Sequence, residues 1–194
     1  MTDISIDYIS EIRRMVKSVL DPMRFEHTLG VSYTAACLGM VWGVDPLKCE
    51  LAGLLHDCAK CYTHEEQIKG CNDNLIALTE EELLAPQIIH AKYGSFLAET
   101  VYGIDDRDIL NAIRYHTTGR AQMSMLEKII YVSDFIEPMR NKSKCLREAR
   151  QEAFRDLDKC MVIILLDTFD YLEQTGKPVD SNSFEAYNYL KAII

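Results

Sequence analysis

The sequence predicts an all-α protein. Apolar residues recur at three- and four-residue spacing through nearly the whole chain, alternating strand patterns are scarce, and glycines and prolines cluster at the breaks between periodic stretches. A helix over about 5–20 rests on that periodicity. Over 23–42 the stripe is His27, Val31, Ala35 and Leu38, and Gly43 stands where the helix should stop. Asp45-Pro46 opens the next segment with a polar cap and a proline at the first helical position, and Ala52, His56 and Ala59 carry it to 61. Residues 62–85, YTHEEQIKGCNDNLIALTEEELLA, are polar and weakly periodic, which predicts short helices on a long connection. His90, Gly94, Leu97 and Val101 stripe a helix over 86–102 that ends at Gly103. Asp105-Asp106 starts one over 106–116, with Ile109, Ile113 and His116 on one side and Gly119 beyond. Met123, Leu126, Ile130 and Asp134 line a helix over 123–137, and one long helix is expected over 146–174, ahead of Gly176.

At 194 residues the chain suits one domain, 1–194, large enough to build a core without staples. No repeat or interdomain linker interrupts it. Seven cysteines, an odd number, in a chain without a signal-peptide pattern point to a reducing, cytoplasmic setting. The longest apolar run, MVIILL at 161–166, is too short to cross a bilayer, so no membrane association is expected. A formal charge of −9 argues against polymeric nucleic acid as a partner, since phosphate-backbone affinity needs clustered Lys and Arg. Small phosphate ligands stay open, because a few basic groups or metal ions supply a local positive field.

The chemistry lies in a coincidence of faces. His27, His90 and His116 each sit on their own helix's apolar stripe, Asp134 continues another, and His56 lies between Ala52 and Ala59 with Asp57 beside it. One such histidine is ordinarily a hydrogen-bonded core residue. A buried unpaired carboxylate, by contrast, costs several kcal/mol, so Asp57 and Asp134 each need a cation or several donors. Six such residues converging on one core point to two divalent metal ions, which neutralise the carboxylates and accept neutral imidazoles. With four neutral histidines and two aspartates, such a centre carries a formal charge of about +2 and attracts anions. Neighbouring residues on a helix diverge by about 100°, so His56 and Asp57 can serve two ions only at a helix end, with Asp57 as the bridge. Lys60, one turn on, and Arg24, in the same relation to His27, are placed to contact phosphate, although either type is ordinarily a surface charge. Cys58, Cys61, His64 and Cys71 have the ligand types of a structural zinc site; buried free thiols and a solvated His64 are the simpler reading.

A helical His, a His-Asp pair and a distant Asp form the pattern of the HD-domain metal-dependent phosphohydrolases. RFEHTLGV at 24–31, LLHDCAK at 54–60, IIHAKYGS at 88–95, AIRYHTTGR at 112–120 and LEKIIYVSDFIEPMR at 126–140 together resemble the YqeK-type symmetrical bis(5'-nucleosyl)-tetraphosphatases, over about 20–190. The resemblance implies a single helical HD fold with a di-metal site in its cup, two iron ions, and cleavage of diadenosine tetraphosphate into two ADP. It implies His27, His56, Asp57, His90, His116 and Asp134 as metal ligands, the six that the stripes select independently. It also implies Arg24, Lys60, Thr117 and Arg140 near the nucleotide, and it makes KPVDSNSFEAYNYL at 177–190 the segment that lies against it. There the family's Pro-x-Thr is represented by Ser181 and Ser183, of which Ser183 keeps the hydroxyl, and a Pro or small residue after "HA" is Lys92.

The expected mechanism is attack of a metal-bridging hydroxide on an inner phosphorus, with Asp57 and Lys60 at the reacting centre and Lys60, Arg24 and Arg140 holding the phosphates. Chemistry alone admits Mn, Co or Zn beside iron. A homodimer is expected from the related proteins. The alternatives are an HD phosphohydrolase acting on a deoxynucleotide, a guanosine alarmone or a cyclic dinucleotide, a catalytically silent nucleotide-binding module, and a purely structural helical domain.

Overall fold

A computed structural model of the chain describes residues 4–194. Among them there are eleven α-helices: α1 (Ile6–Val19), α2 (Pro22–Trp42), α3 (Pro46–Leu55), α4 (His64–Asp73), α5 (Glu80–Leu84), α6 (Ile89–Thr100), α7 (Arg107–Tyr115), α8 (Met125–Ile136), α9 (Leu146–Glu152), α10 (Leu157–Thr175) and α11 (Ser181–Ile193), with 3-10 turns at Cys58–Cys61 and Pro86–Ile88. No strand is present among the described residues, and no helix is long and apolar enough to cross a membrane.

The caps read from the sequence do their expected work. Asp45 accepts from Leu47 N and Asp106 from Asp108 N and Ile109 N, satisfying donors at the helix starts. Gly43 and Gly176 close α2 and α10 at φ 72° and 65°.

The centre of the molecule is the second half of α3, where Leu51 to Leu55 are all buried; a stretch apolar all round belongs inside. Helix α2 lies directly on it. A Cβ on Gly53 would come within 2.6 Å of Ser32 Cα, so this close crossing needs glycine there. Helices α7 and α8 pack on the pair, α6 packs on α7 and on the 3-10 turn after α3, and α1 covers α3 from outside. One apolar cluster runs from Ile9 to Leu190 and includes Leu38, Leu54, Ile113, Ile130 and Leu165 at its centre.

Three expectations are corrected. The helix expected over 46–61 ends at Leu55: Asp57, at φ −108° and ψ 17°, leaves helical geometry, and the chain resumes as a 3-10 turn. The single helix over 146–174 is two, because the chain breaks at 153–156 and Asp156 caps a fresh start. Trp42 Nε1 donates to Ala153 O at that break, satisfying a carbonyl that the helix end leaves open. Residues 181–193 form α11, a helix the periodicity did not reveal; Asp180 caps it and it buries Ser183, Ala186 and Leu190. The 62–85 region holds short helices, as expected.

Candidate metal centre

Two of the candidate histidines are the residues at which helices stop. His56 follows the last residue of α3 and His116 the last of α7. The final carbonyls of a helix have no partner within it. Here the imidazole supplies one: Nδ1 of His56 bonds Gly53 O at 2.7 Å, and Nδ1 of His116 bonds Ile113 O at 2.7 Å. His90, at the start of α6, bonds Gln87 O at 2.8 Å in the same way. A carbonyl only accepts, so each Nδ1 must carry the proton. Burial draws His56 and His90 down to about 4, against the opposing pull of nearby aspartate charge, so both rings are neutral near pH 7. A neutral ring with its proton on Nδ1 presents a bare lone pair at Nε2.

Those lone pairs converge. The Nε2 atoms of His90 and His116 are 3.2 Å apart, and the buried Nε2 of His56 has no hydrogen-bond partner. Asp57 lies between the rings with its carboxylate divided. Oδ1 is 3.1 Å from His90 Nε2 and 3.6 Å from His116 Nε2; Oδ2 is 3.6 Å from His56 Nε2 and 3.9 Å from His27 Nε2. Asp134 Oδ1 completes the second group, 3.1 Å from His27 Nε2 and 3.9 Å from His56 Nε2. The ligand atoms of His27, His56 and Asp134 all lie within 4.8 Å of one another, as do those of His56, Asp57 and His116. The fold thus brings all six sequence-selected residues into one cup. Bare nitrogens and carboxylate oxygens facing one another at these distances repel unless a cation lies among them, so the donor set fits two divalent ions.

The charges around the cup agree. Burial alone would raise Asp57, but positive charge on His56, His116 and His90, or on a cation held among them, draws it well below the ordinary carboxylate range. Burial would likewise raise Asp134, and the His27 hydrogen bond and the Arg140 charge hold it far below. Both are anions at neutral pH. His27 differs from the other rings: burial pulls it down, but the Asp134 carboxylate beside it and its bond to Glu137 outweigh this and raise it. Arg24 Nη1 bonds Asp57 Oδ2 at 2.8 Å, and Arg140 bonds Asp134 through both Nη2 and Nε, the latter to the backbone carbonyl at 2.9 Å. Lys60 is half-buried close by; burial lowers its ammonium while the Asp57 charge works in the other direction.

Sequence reasoning missed Glu137. Its side chain is 1% exposed, accepts from Met139 N at 2.7 Å, and bonds His27 Nδ1 at 3.0 Å, which turns the His27 Nε2 edge into the cup. A signal existed: Ile130, Asp134 and Glu137 continue one stripe at spacings of four and three. Gly30 makes room for it, since a Cβ there would meet Glu137 Oε2 at 2.6 Å. Thr117 and Ser183 lie apart from the cup's floor. They line a cavity of about 270 Å³ beside His116 with Ile88, Tyr171 and Pro178, and the buried Thr117 Oγ1 has no partner. Ser181 instead bonds Glu81 Oε2 at 2.9 Å, and Lys92 pairs with Glu82.

The cysteine series does not gather: no metal-compatible cluster among the described residues contains a cysteine, and all seven are free thiols. Cys58 and Cys71 are buried, and Cys61 is a correction, being exposed at the end of its turn. His64 is exposed, as expected.

A helical bundle whose helix ends aim four histidines and two aspartates into one cup defines a class, and the comparisons agree with it: the chain belongs to the HD-domain family, whose model matches residues 24–139. Its relatives narrow this. The chain is 38% identical over 177 residues to a symmetrical bis(5'-nucleosyl)-tetraphosphatase of Bacillus subtilis, covering 90% of this chain and 93% of that one. It is 35% identical over 179 residues to one of Halalkalibacterium halodurans, covering 91% and 94%. A crystal structure from Clostridium acetobutylicum, described as a predicted HD superfamily hydrolase involved in NAD metabolism, superposes with a TM-score of 0.92 at 39% identity, over 95% of this chain and 97% of that one. Within the HD-domain proteins the chain is a member of the symmetrical bis(5'-nucleosyl)-tetraphosphatase family.

Proposed function

We propose that the protein is a metal-dependent hydrolase that splits diadenosine tetraphosphate symmetrically into two molecules of ADP. The observation that carries the reading is the divided carboxylate of Asp57, one oxygen facing His90 and His116 and the other facing His27 and His56. On this reading His27, His56 and Asp134 would hold one ion, His90 and His116 would hold the second, and Asp57, facing both groups, would serve both. When bound, the two ions supply a water acidic enough to attack near neutral pH and a positive clamp for phosphoryl oxygens. We assign iron because of the resemblance; the imidazole and carboxylate shell also suits Mn, Co or Zn.

In the reaction the water oxygen bonds to one inner phosphorus. The bond from that phosphorus to the central bridging oxygen breaks, and the bridging oxygen leaves on the other ADP. Lys60, Arg24 and Arg140 stand at the mouth of the cup as donors to the phosphate chain, where oriented cations offset the charge that grows on the phosphoryl oxygens. Glu137 keeps the His27 proton on Nδ1 and the ring turned inward. Thr117 Oγ1, buried without a partner, and Ser183 across the same cavity offer hydroxyls to one nucleotide half. Seven free thiols suit the reducing cytoplasm in which we place the protein. The homodimer expected from related proteins is checked by its mass in solution.

The test is anaerobic purification, elemental analysis and chromatography of the products from diadenosine tetraphosphate. Two metal equivalents and two ADP per substrate are expected. AMP plus ATP would overturn the symmetrical cut, and nucleotide binding without release of ADP would overturn the enzyme reading.

A further inference from the structure

The substrate proposed above has two chemically identical halves, while the cup has two unlike sides. On one side Thr117, the residue after His116, lines a cavity with Ser183. The other opens at Asp134 into a separate cavity of about 350 Å³ that shares no lining residue with the first and is walled by Phe135, Met139, Arg140, Lys142 and Leu146. A third cavity, about 580 Å³ and more open, continues from it past Arg140 and Asn141 to Lys144 and Arg147. The two cavities on the Asp134 side are of the size that ligand sites occupy.

The composition of this wall is out of keeping with the protein. The chain carries −9 overall, yet residues 138–150, PMRNKSKCLREAR, hold five cations and one acid. The cations divide by what they do. Arg150 is committed to the backbone: its guanidinium donates to the carbonyls of Ile136, Glu137 and Arg140, fixing the loop after α8. Ser143 Oγ ties the same loop to Asp167 Oδ2 at 2.9 Å. Arg140 is engaged with Asp134. Lys142, Lys144 and Arg147 form no ion pair with any described carboxylate, although Asp167 and Asp170 share a neighbouring cavity wall with the two lysines, so three cations without a salt-bridge partner among the described residues line a groove that begins at a candidate ligand of the centre. The floor is apolar, with half-buried Phe135 and Met139, which is 45% exposed, offering a face to a flat ring.

We infer that this basic groove is the subsite for the second nucleoside diphosphate half, the half held away from Thr117 and Ser183. Lys142 and Lys144 take its phosphates, and Phe135 and Met139 take its base. This rests on the reading under Proposed function and adds which wall distinguishes a two-nucleoside substrate from a single nucleotide. Lysines on flexible stems supply charge to a phosphate chain without demanding one geometry, and an ADP half that has just been released can leave a site of this kind.

The experiment is calorimetry on manganese-loaded protein with two probes: ADP, and a diadenosine tetraphosphate analogue with a methylene group in place of the central bridging oxygen. In the K142E/K144E variant the analogue should bind at least tenfold more weakly, while the tighter ADP site, in the His116-side cavity, changes less than threefold. Equal losses for both probes, or no loss for either, would overturn the subsite; intact metal content and an unchanged helical spectrum show that the variant is folded. Wild-type protein that binds neither probe would overturn the nucleotide reading itself, which keeps the two failures apart.

Discussion

Gly30→Ala separates stability from metal affinity. The added Cβ would stand 2.6 Å from Glu137 Oε2 and 3.3 Å from its Cδ. Ordinary contact begins at 3.4 Å, so the carboxylate must retreat by about 0.8 Å. It cannot swing into solvent, being 1% exposed and held by Met139 N. Oε2 is the oxygen held by Met139 N, so the displaced carboxylate must turn or shift as a whole, and the 3.0 Å bond that its Oε1 makes to His27 Nδ1 is weakened or lost. A hydrogen bond to a charged group contributes about 1.5–3 kcal/mol. Against that loss, Ala in mid-helix gains about 1 kcal/mol over Gly, so the net destabilisation should be only about 0.5–2 kcal/mol. The effect on the centre should be larger in proportion, because His27 loses the partner that fixes its tautomer, and such partners typically carry 10–100-fold in metal affinity. Dialysis against a graded chelator followed by elemental analysis measures the affinity, and urea unfolding of the metal-free protein measures the stability. Metal affinity within twofold of wild type would refute the claim that Glu137 orients His27.

Asp57→Asn keeps the shape of the side chain but removes the charge between the two histidine groups; metal content should fall below two and ADP release by at least ~100-fold, more than the loss of an outer partner, as read by elemental analysis and product chromatography. Metal-free protein should be acid-labile in a defined window. His56 and His90 titrate near 4 in the fold and near 6.5 when unfolded, so the unfolded chain takes up protons first as pH falls below about 6.5, and stability drains away until about pH 4. Each fully buried ring contributes at most ~3 kcal/mol to that loss, and the change should be smaller in His90→Asn. Urea midpoints of chelated wild type and variant between pH 7 and 4.5 check this; parallel curves would refute the bare-nitrogen assignment.

Much of the fold was legible in the sequence because its signals are local. Periodicity and caps located α2, α7 and α8 to within a few residues, since an amphipathic stripe and an Asp at the first turn act through neighbours along the chain. The errors have one origin. The run from 46 to 61 keeps a helical pattern through Asp57, but the chain turns there because His56 caps Gly53 O. The break at 153–156 is likewise masked by flanking helical sequence and held by Trp42 from α2. Helix α11 has little stripe of its own and is held by contact with α10. Glu137 was overlooked because an acidic residue before a proline reads as a surface helix end, and only the packing of α2 against α8 seals it beneath Gly30.

The sequence by itself determined the class of the fold and the six residues of the candidate centre, because burying a histidine or aspartate on an apolar stripe has a cost visible in one dimension. Tertiary structure decided how those residues divide. That Asp57 faces two pairs of rings, that His27 leans on Glu137, and that Thr117 and Lys142 line cavities on different sides of the cup depend on where helices from distant parts of the chain end against one another. Spacing along a helix gives the direction of a side chain; what it meets is set by packing.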